Sequence, residues 1–385
     1  MPHHRPHLPE FLLTYFKDRE LNELYLSVFL KVLGQSLITI FIPIYFIILG
    51  YSIFDISLFY LIYFITITIT MPFGMWSNSK IGIKKTLTLG TFVLIFYYYL
   101  LGFLETGLSY HLIAVVFGIS SGFYFAAFHI DFAKSANKGR EGKELSCLRI
   151  IVVIVGVLGP LIGSLLISAF SFNFMFKFVS IVLFLSVIPL FFSKDFSIRY
   201  KKFSPKRILK ADSKEKGIAY QASAMVGIAQ IYFWPLFIYL TLKSVVSLGV
   251  IVSTSSLLTI FIIAYIGKLT DRDKNSVLKL GVLSTAPSWI IRIFLLSPIG
   301  MFFINFYSFI TQTLIDLPFN KMTYAKAKRS KHIANYFLFR EFNLMKGRIL
   351  ILAIALATQS IVWVFIATFF ATFLYLIVLK KSKKR

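Results

Sequence analysis

The feature that most constrains this chain is a repeated alternation of long apolar runs and short polar links. The runs fall near residues 22–49, 53–73, 84–104, 109–133, 146–169, 172–193, 217–242, 245–266, 276–296, 299–323, 334–358 and 360–379, about twelve in all. A helix needs ~20 apolar residues to cross the ~30 Å hydrocarbon core of a bilayer, and each run is near that length or above it. In hydrocarbon every backbone N–H and C=O must be bonded within the protein, which for runs of this length means α-helices. Hydrophobic residues make up 57% of the chain, and mean hydropathy is +0.78. No soluble domain could bury that much apolar surface. The expected fold class is an all-α polytopic membrane protein.

The links set an orientation. Basic residues crowd every second one: Lys80, Lys84 and Lys85; Lys134 to Lys143; Lys194 to Lys216; Lys268, Arg272 and Lys274; Lys326 to Lys331; and the tail from Lys380. The alternate links, around Gly50, Glu105, Ser171, Lys243, Ser297 and Gln359, carry almost none. Basic links stay in the cytoplasm, so strict alternation puts both termini there, in the plasma membrane. The net charge of +25 is thereby explained without a nucleic-acid partner. The longest link divides the chain into an N-terminal six-helix bundle over 1–193, a basic linker over 194–216 and a C-terminal bundle over 217–385.

Composition also excludes some chemistry. The one cysteine, Cys147, cannot form an intramolecular disulfide or a cysteine-based metal cluster. No Gly-x-x-x-x-Gly-Lys-Ser/Thr run offers an ATP site. Met1 to Glu20 lacks the core of a cleaved signal peptide and reads as a short helix on the inner membrane surface. No metal, cofactor or catalytic group is expected.

One link stands out. Gly267, Leu269, Asp271 and Arg272 lie between two apolar runs, and a weaker copy, Gly74 to Lys85 with Asn78 in place of the aspartate, sits half a chain earlier. Two related links at corresponding places suggest an internal repeat. Gly-x-Leu-x-Asp-Arg between two spans resembles the signature loop of the major facilitator superfamily, which joins spans two and three and recurs between eight and nine. The resemblance implies two pseudo-symmetric six-helix bundles. It also implies that Asp271 docks near the start of the fifth span, around Arg149, and Asn78 near the eleventh, around Arg340. Gly156, Gly159, Pro160 and Gly163 resemble a reduced form of a motif common in the family's exporters, which tilts the reading toward export.

Polar residues inside spans are costly, at least ~2.5–3.5 kcal/mol per charge on insertion scales, and they turn toward protein or water. The tenth span carries Asn305, Gln312 and Asp316 at helical spacing. The first has Lys31, Gln35 and Thr39, the fourth Tyr124, His129 and Asp131, and the seventh Ser223, Gly227, Gln230 and Trp234 before Pro235. Lys31 also admits a snorkelling reading, and the two stay open. His129 and Asp131 read better as interfacial residues bonded to a nearby link than as a proton relay. The resemblance makes spans one, four, seven and ten the cavity-lining ones, so Gln35, Thr39, Tyr124, Gln230, Trp234, Asn305, Gln312 and Asp316 are the expected substrate cavity. Arg340, Glu341, Lys346 and Arg348 charge the first half of the eleventh span. Glu341 and Arg348 share a face there, where they could pair with the Asn78 link, close a gate or attract an anion.

The function these features favour is a secondary transporter of a small molecule, a monomer working by alternating access, with protons as the candidate coupling ion and Asp316 and Glu341 as the available carboxylates. A sensor or scaffold that has lost transport is the alternative that Asn78 favours. A membrane-embedded lipid-modifying enzyme would need a catalytic cluster, and His129 with Asp131 is the only candidate.

Overall fold

The computed structural model describes residues 19–135, 141–192, 195, 197, 205–330 and 332–382. The expected surface helix at Met1 to Glu20 and most of the basic linker lie outside these residues. Among the described residues twelve helical rods follow one another, most of them joined by short connections. They are α1 (Arg19–Ile38, then Ile42–Ile48), α2 (Ile53–Lys80), α3 (Ile83–Leu101), α4 (Tyr110–Ser135), α5 (Glu141–Ala169), α6 (Phe172–Phe192), α7 (Lys214–Ile228, then Trp234–Leu242), α8 (Val245–Arg272), α9 (Lys274–Phe294), α10 (Pro298–Arg329), α11 (Ile333–Thr358) and α12 (Ile361–Phe373, then Ile377–Ser382). A short helix, Pro205–Leu209, precedes α7. No strand occurs among the described residues.

Among the described residues, eight of the rods are long and apolar enough on their own to cross a membrane, and α5 and α8 add the apolar stretches Ile154–Ala169 and Val245–Thr259. The other two carry charges within their lengths, Lys84 and Lys85 in α3 and Arg340, Glu341, Lys346 and Arg348 in α11.

Pairing shows the repeat directly. In the first half α2 and α3 pack on α4, α1 packs on α5 and α6, and α3 on α6. Six helices later the same pairs recur: α8 and α9 on α10, α7 on α11 and α12, and α9 on α12. The bundles meet through α5 against α8 and α2 against α11, which the same pseudo-symmetry exchanges, and through α1 against α7.

Local sequence explains where the rods bend. In α1 a tight turn over Thr39–Phe41 precedes Pro43, and in α7 a wide π turn over Ala229–Phe233 precedes Pro235. A proline lacks an N–H and crowds the carbonyl four residues back, so the helix must tighten or widen just before it. Serine caps start many rods. Ser52 and Asp55 form a reciprocal capping box on α2, and Ser213, Ser244 and Ser297 accept from backbone N–H groups at the starts of α7, α8 and α10.

The signature links are not loops. Helix α2 runs on through Gly74 and Asn78 to Lys80, and α8 runs through Gly267 and Asp271 to Arg272. No proline interrupts either rod beyond its apolar stretch, so both helices run on past it. Gly267 therefore forms no turn, and the residue that separates α8 from α9 is Asp273.

Candidate functional site

A cavity of about 440 Å³ opens between α7, α8 and α10, with α5 closing one side. On α7 its wall is Ser223, Val226, Gly227 and Gln230, at the three- and four-residue spacing of one helix face. Gln230 lies inside the π turn, so the irregularity that Pro235 imposes also sets the angle at which this amide enters. Ser256 and Thr259 face in from α8, and Phe309, Gln312, Thr313 and Asp316 from α10. Gly156 of α5 and Gly227 hold the space open, since a Cβ on either would meet nothing within 4 Å.

The polar groups of the wall are arranged. Ser256, Thr259 and Thr313 donate to the carbonyls of Val252, Ser256 and Phe309, each at 2.6 Å, leaving oxygen lone pairs toward the cavity. Gln312 Nε2 donates to Asp316 Oδ1 at 3.1 Å. Behind Gln230, the Arg292 guanidinium of α9 is fully buried; its Nη2 donates to Gln230 Oε1 at 2.7 Å.

Of the eight residues expected in the cavity, the structure brings three together on its wall: Gln230, Gln312 and Asp316. Trp234 and Asn305 are buried beyond the wall. Trp234 Nε1 donates to Asn305 Oδ1 at 2.8 Å, and Asn305 Nδ2 to Ser255 Oγ at 2.6 Å, tying α7, α8 and α10 together. Gln35, Thr39 and Tyr124 stand apart in the first bundle. Lys31 Nζ donates to Gln35 Oε1 at 2.8 Å and sits 3.6 Å above the Tyr124 ring, while Thr39 Oγ1 donates to the Gln35 carbonyl at 2.6 Å. Lys31 is thus buried against α4 rather than snorkelling.

Of the groups expected to gate the protein, Asp271, Asn78, Glu341 and Arg348 bond within their own bundle, while Arg340 bonds across. Asp271 accepts from Lys321 on α10 of its own bundle, and the pair is exposed. Arg272 is exposed. Asn78 Nδ2 donates to the Ala126 carbonyl of α4 at 3.0 Å. Among the described residues neither Asp271 nor Asn78 is bonded to the opposite bundle. The Arg149 side chain lies outside the described residues. Arg348 and Glu341 pair with each other along α11, and the Arg348 guanidinium lies 4.4 Å from the Phe64 ring of α2.

At the end where the basic links gather, α4 reaches the second bundle. His129 stacks on Phe337, its ring centroid 4.9 Å away, and its Nε2 accepts from Arg340 Nη1 at 3.0 Å. Asp131, two residues on and so on another face of α4, pairs with Lys84 of α3 at 2.8 Å, both side chains buried. His129 is thus bonded across to the second bundle and Asp131 to α3, both side chains buried. At the opposite end Gly249 of α8 lies against Ser164 and the Pro160 carbonyl of α5. Contact at both ends leaves the cavity between.

The sequence reading missed Arg292 and the α8 wall. Arg292 stands a turn from the end of its run and reads as an end-of-span cation. Ser253 to Thr259 is a hydroxyl-rich stretch in an apolar run, which was a usable signal.

The family model of the Major Facilitator Superfamily matches residues 24–318. Among solved structures, the nucleoside transporter NupG is similar at 13% identity and TM-score 0.70, with 94% of this chain and 99% of that one covered. A POT family transporter in complex with 5-aminolevulinic acid is similar at 14% identity and TM-score 0.69, covering 95% and 96%. The human organic anion transporter MFSD10 is similar at 12% identity and TM-score 0.62, covering 92% and 99%. At these identities the likeness is one of fold. The search of curated proteins found no match.

Proposed function

This chain belongs to the Major Facilitator Superfamily, and on that premise we propose that it is a secondary transporter carrying a small solute through the cavity between α7, α8 and α10. The observation that carries the reading is the cavity itself: polar walls, two open glycines and a carboxylate at membrane depth, where such groups are costly unless they serve a pathway. A scaffold would have no need of it. The basic end of the bundle is the cytoplasmic one, with both termini on that side.

The two bundles rock about the cavity. The α5–α8 contact at Gly249 closes the outer side. The His129–Arg340 contact closes the inner side. Asp316, held by Gln312, is the group that takes up and releases the coupling proton. The reduced glycine motif on α5 favours export.

Gly227→Leu tests the cavity cleanly. The added side chain enters open space, so the protein should fold with an unchanged thermal midpoint. In proteoliposomes a counterflow screen across sugars, amino acids, nucleosides and organic anions should show exchange for the parent protein and at least a tenfold loss for the variant. Asp316→Asn should keep exchange and lose gradient-driven accumulation. A Gly227→Leu protein that exchanges at the parent rate would overturn the assignment of the pathway.

A further inference from the structure

Arg292 has no role in the reading above, and its surroundings are unusual. It is fully buried in α9. Its guanidinium carbon lies 3.9 Å from the Trp289 ring centre and 4.5 Å from that of Trp234. Its hydrogen bond goes to a neutral oxygen, Gln230 Oε1, while Nε and Nη1 have no protein partner among the described residues. Buried cations are ordinarily paired with carboxylates and have their donors filled, because desolvation costs several kcal/mol per ion. The faces of two indoles offset part of that cost but leave the in-plane donors unused.

Gln230 is the side chain between this cation and the cavity. Its amide oxygen occupies a position that a carboxylate or phosphoryl oxygen would fill better, since a charge-assisted, bidentate bond to guanidinium is stronger than a neutral one. The π turn under Gln230 is a place where the backbone already departs from regular helix, so the amide can turn aside without breaking a regular rod. Asp316 does not compete. It is eleven residues from Asn305 along α10, roughly 16 Å, and Asn305 marks the Trp234–Arg292 layer.

We infer that the transported solute bears an oxyanion, carboxylate or phosphoryl, and that Arg292 receives it when Gln230 swings off the guanidinium. This rests on the cavity being the transport site.

The two indoles beside Arg292 provide the measurement. The chain has four tryptophans, and the other two, Trp76 and Trp363, are exposed on outer faces. A Trp76→Phe/Trp363→Phe protein in nanodiscs reports on Trp234 and Trp289 alone. Acetate and inorganic phosphate, titrated at constant ionic strength against chloride, should change its fluorescence saturably, and neutral acetamide should not. Arg292→Gln should weaken the apparent affinity at least tenfold. Gln230→Met, which frees the guanidinium, should tighten it or leave it unchanged. Should Arg292→Gln fail to fold, Arg292→Lys, which keeps the charge but loses the fork, should still separate the two anions from acetamide with weakened affinity. Absence of a saturable response to both anions, or a response insensitive to Arg292, would overturn the inference. Labelling of Ser223→Cys in a Cys147→Ser protein separates the two failures. A labelled, anion-blind protein keeps the cavity and loses the anion. An unlabelled, anion-blind one loses both.

Discussion

The connection from α2 to α3 and that from α8 to α9 hold the same place in the two bundles, yet they are built differently. The second matches the family pattern better in sequence, with Gly267, Leu269, Asp271 and Arg272 all in place. In the structure it is the looser of the two. Gly267 faces open space, Asp271 forms an exposed pair with Lys321, and Asp273 caps α9 with its own carboxylate. The first copy has lost the aspartate but is buried. Gly74 lies against α4, where a Cβ would come within 2.8 Å of the Ala126 Cβ and 2.9 Å of the Gly122 carbonyl. Asn78 is wholly buried. The start of α3, at a glycine of positive φ (Gly82, +102°), has no side chain of its own to cap it. A carboxylate arrives from 111 residues away: Asp195 accepts from Lys84 N at 2.8 Å and Lys85 N at 3.3 Å. A motif's letters and its structural weight are thus separable. Loss of the aspartate from one copy coincides with burial of that copy.

Glycine replacement should give the widest split between the copies. Gly74→Leu should destabilise the protein by at least ~2–3 kcal/mol through overpacking against α4, visible as loss of monodisperse protein in detergent. Gly267→Leu should be tolerated with an unchanged elution profile. Equal behaviour would erase the contrast.

Next in size is the distant cap. Asp195→Ala should cost ~1 kcal/mol, the usual loss for removing an N-cap side chain, and lower the thermal midpoint by a few degrees. Asp195→Asn should recover part of it.

Smallest are the exposed carboxylates. Asp271→Ala should shift stability by ~0.5 kcal/mol or less, as solvent-exposed pairs do. Asp273 sharpens the point through pH. The Ser276 hydroxyl and the backbone N–H groups it caps hold its carboxyl below the ordinary 3.8. A lowered folded value means that its contribution is complete above the ordinary value and lost as pH falls through the lowered one. Melting of the parent and Asp273→Ala proteins should therefore differ at pH 7 and converge as pH falls below that lowered value.

Much of this architecture was legible. The apolar runs placed all twelve rods to within a few residues at most ends, because bilayer thickness imposes a length on each. Pro235 announced its irregularity, and the spacing of Gln312 with Asp316 put both on one face. What was not legible came from contacts distant in sequence. Nothing near Gly82 points to Asp195, and nothing in α9 says that Arg292 turns inward to Gln230 rather than outward to the headgroups. Helical spacing alone also cannot tell a wall facing a cavity from a seam between rods, which is why Trp234 and Asn305 read like Gln230 and Gln312.

The contact at Asp195 has a mechanical consequence. The link between the bundles is anchored twice: Asp195 caps α3 of the first, and Pro205–Leu209 packs on α11 of the second with Ile208 buried. The ten-residue step from Asp195 to Pro205 can span no more than about 36 Å, which limits how far the two anchor points can separate. A protease cut between them would lift that limit while leaving both anchors and the contacts between the bundles in place.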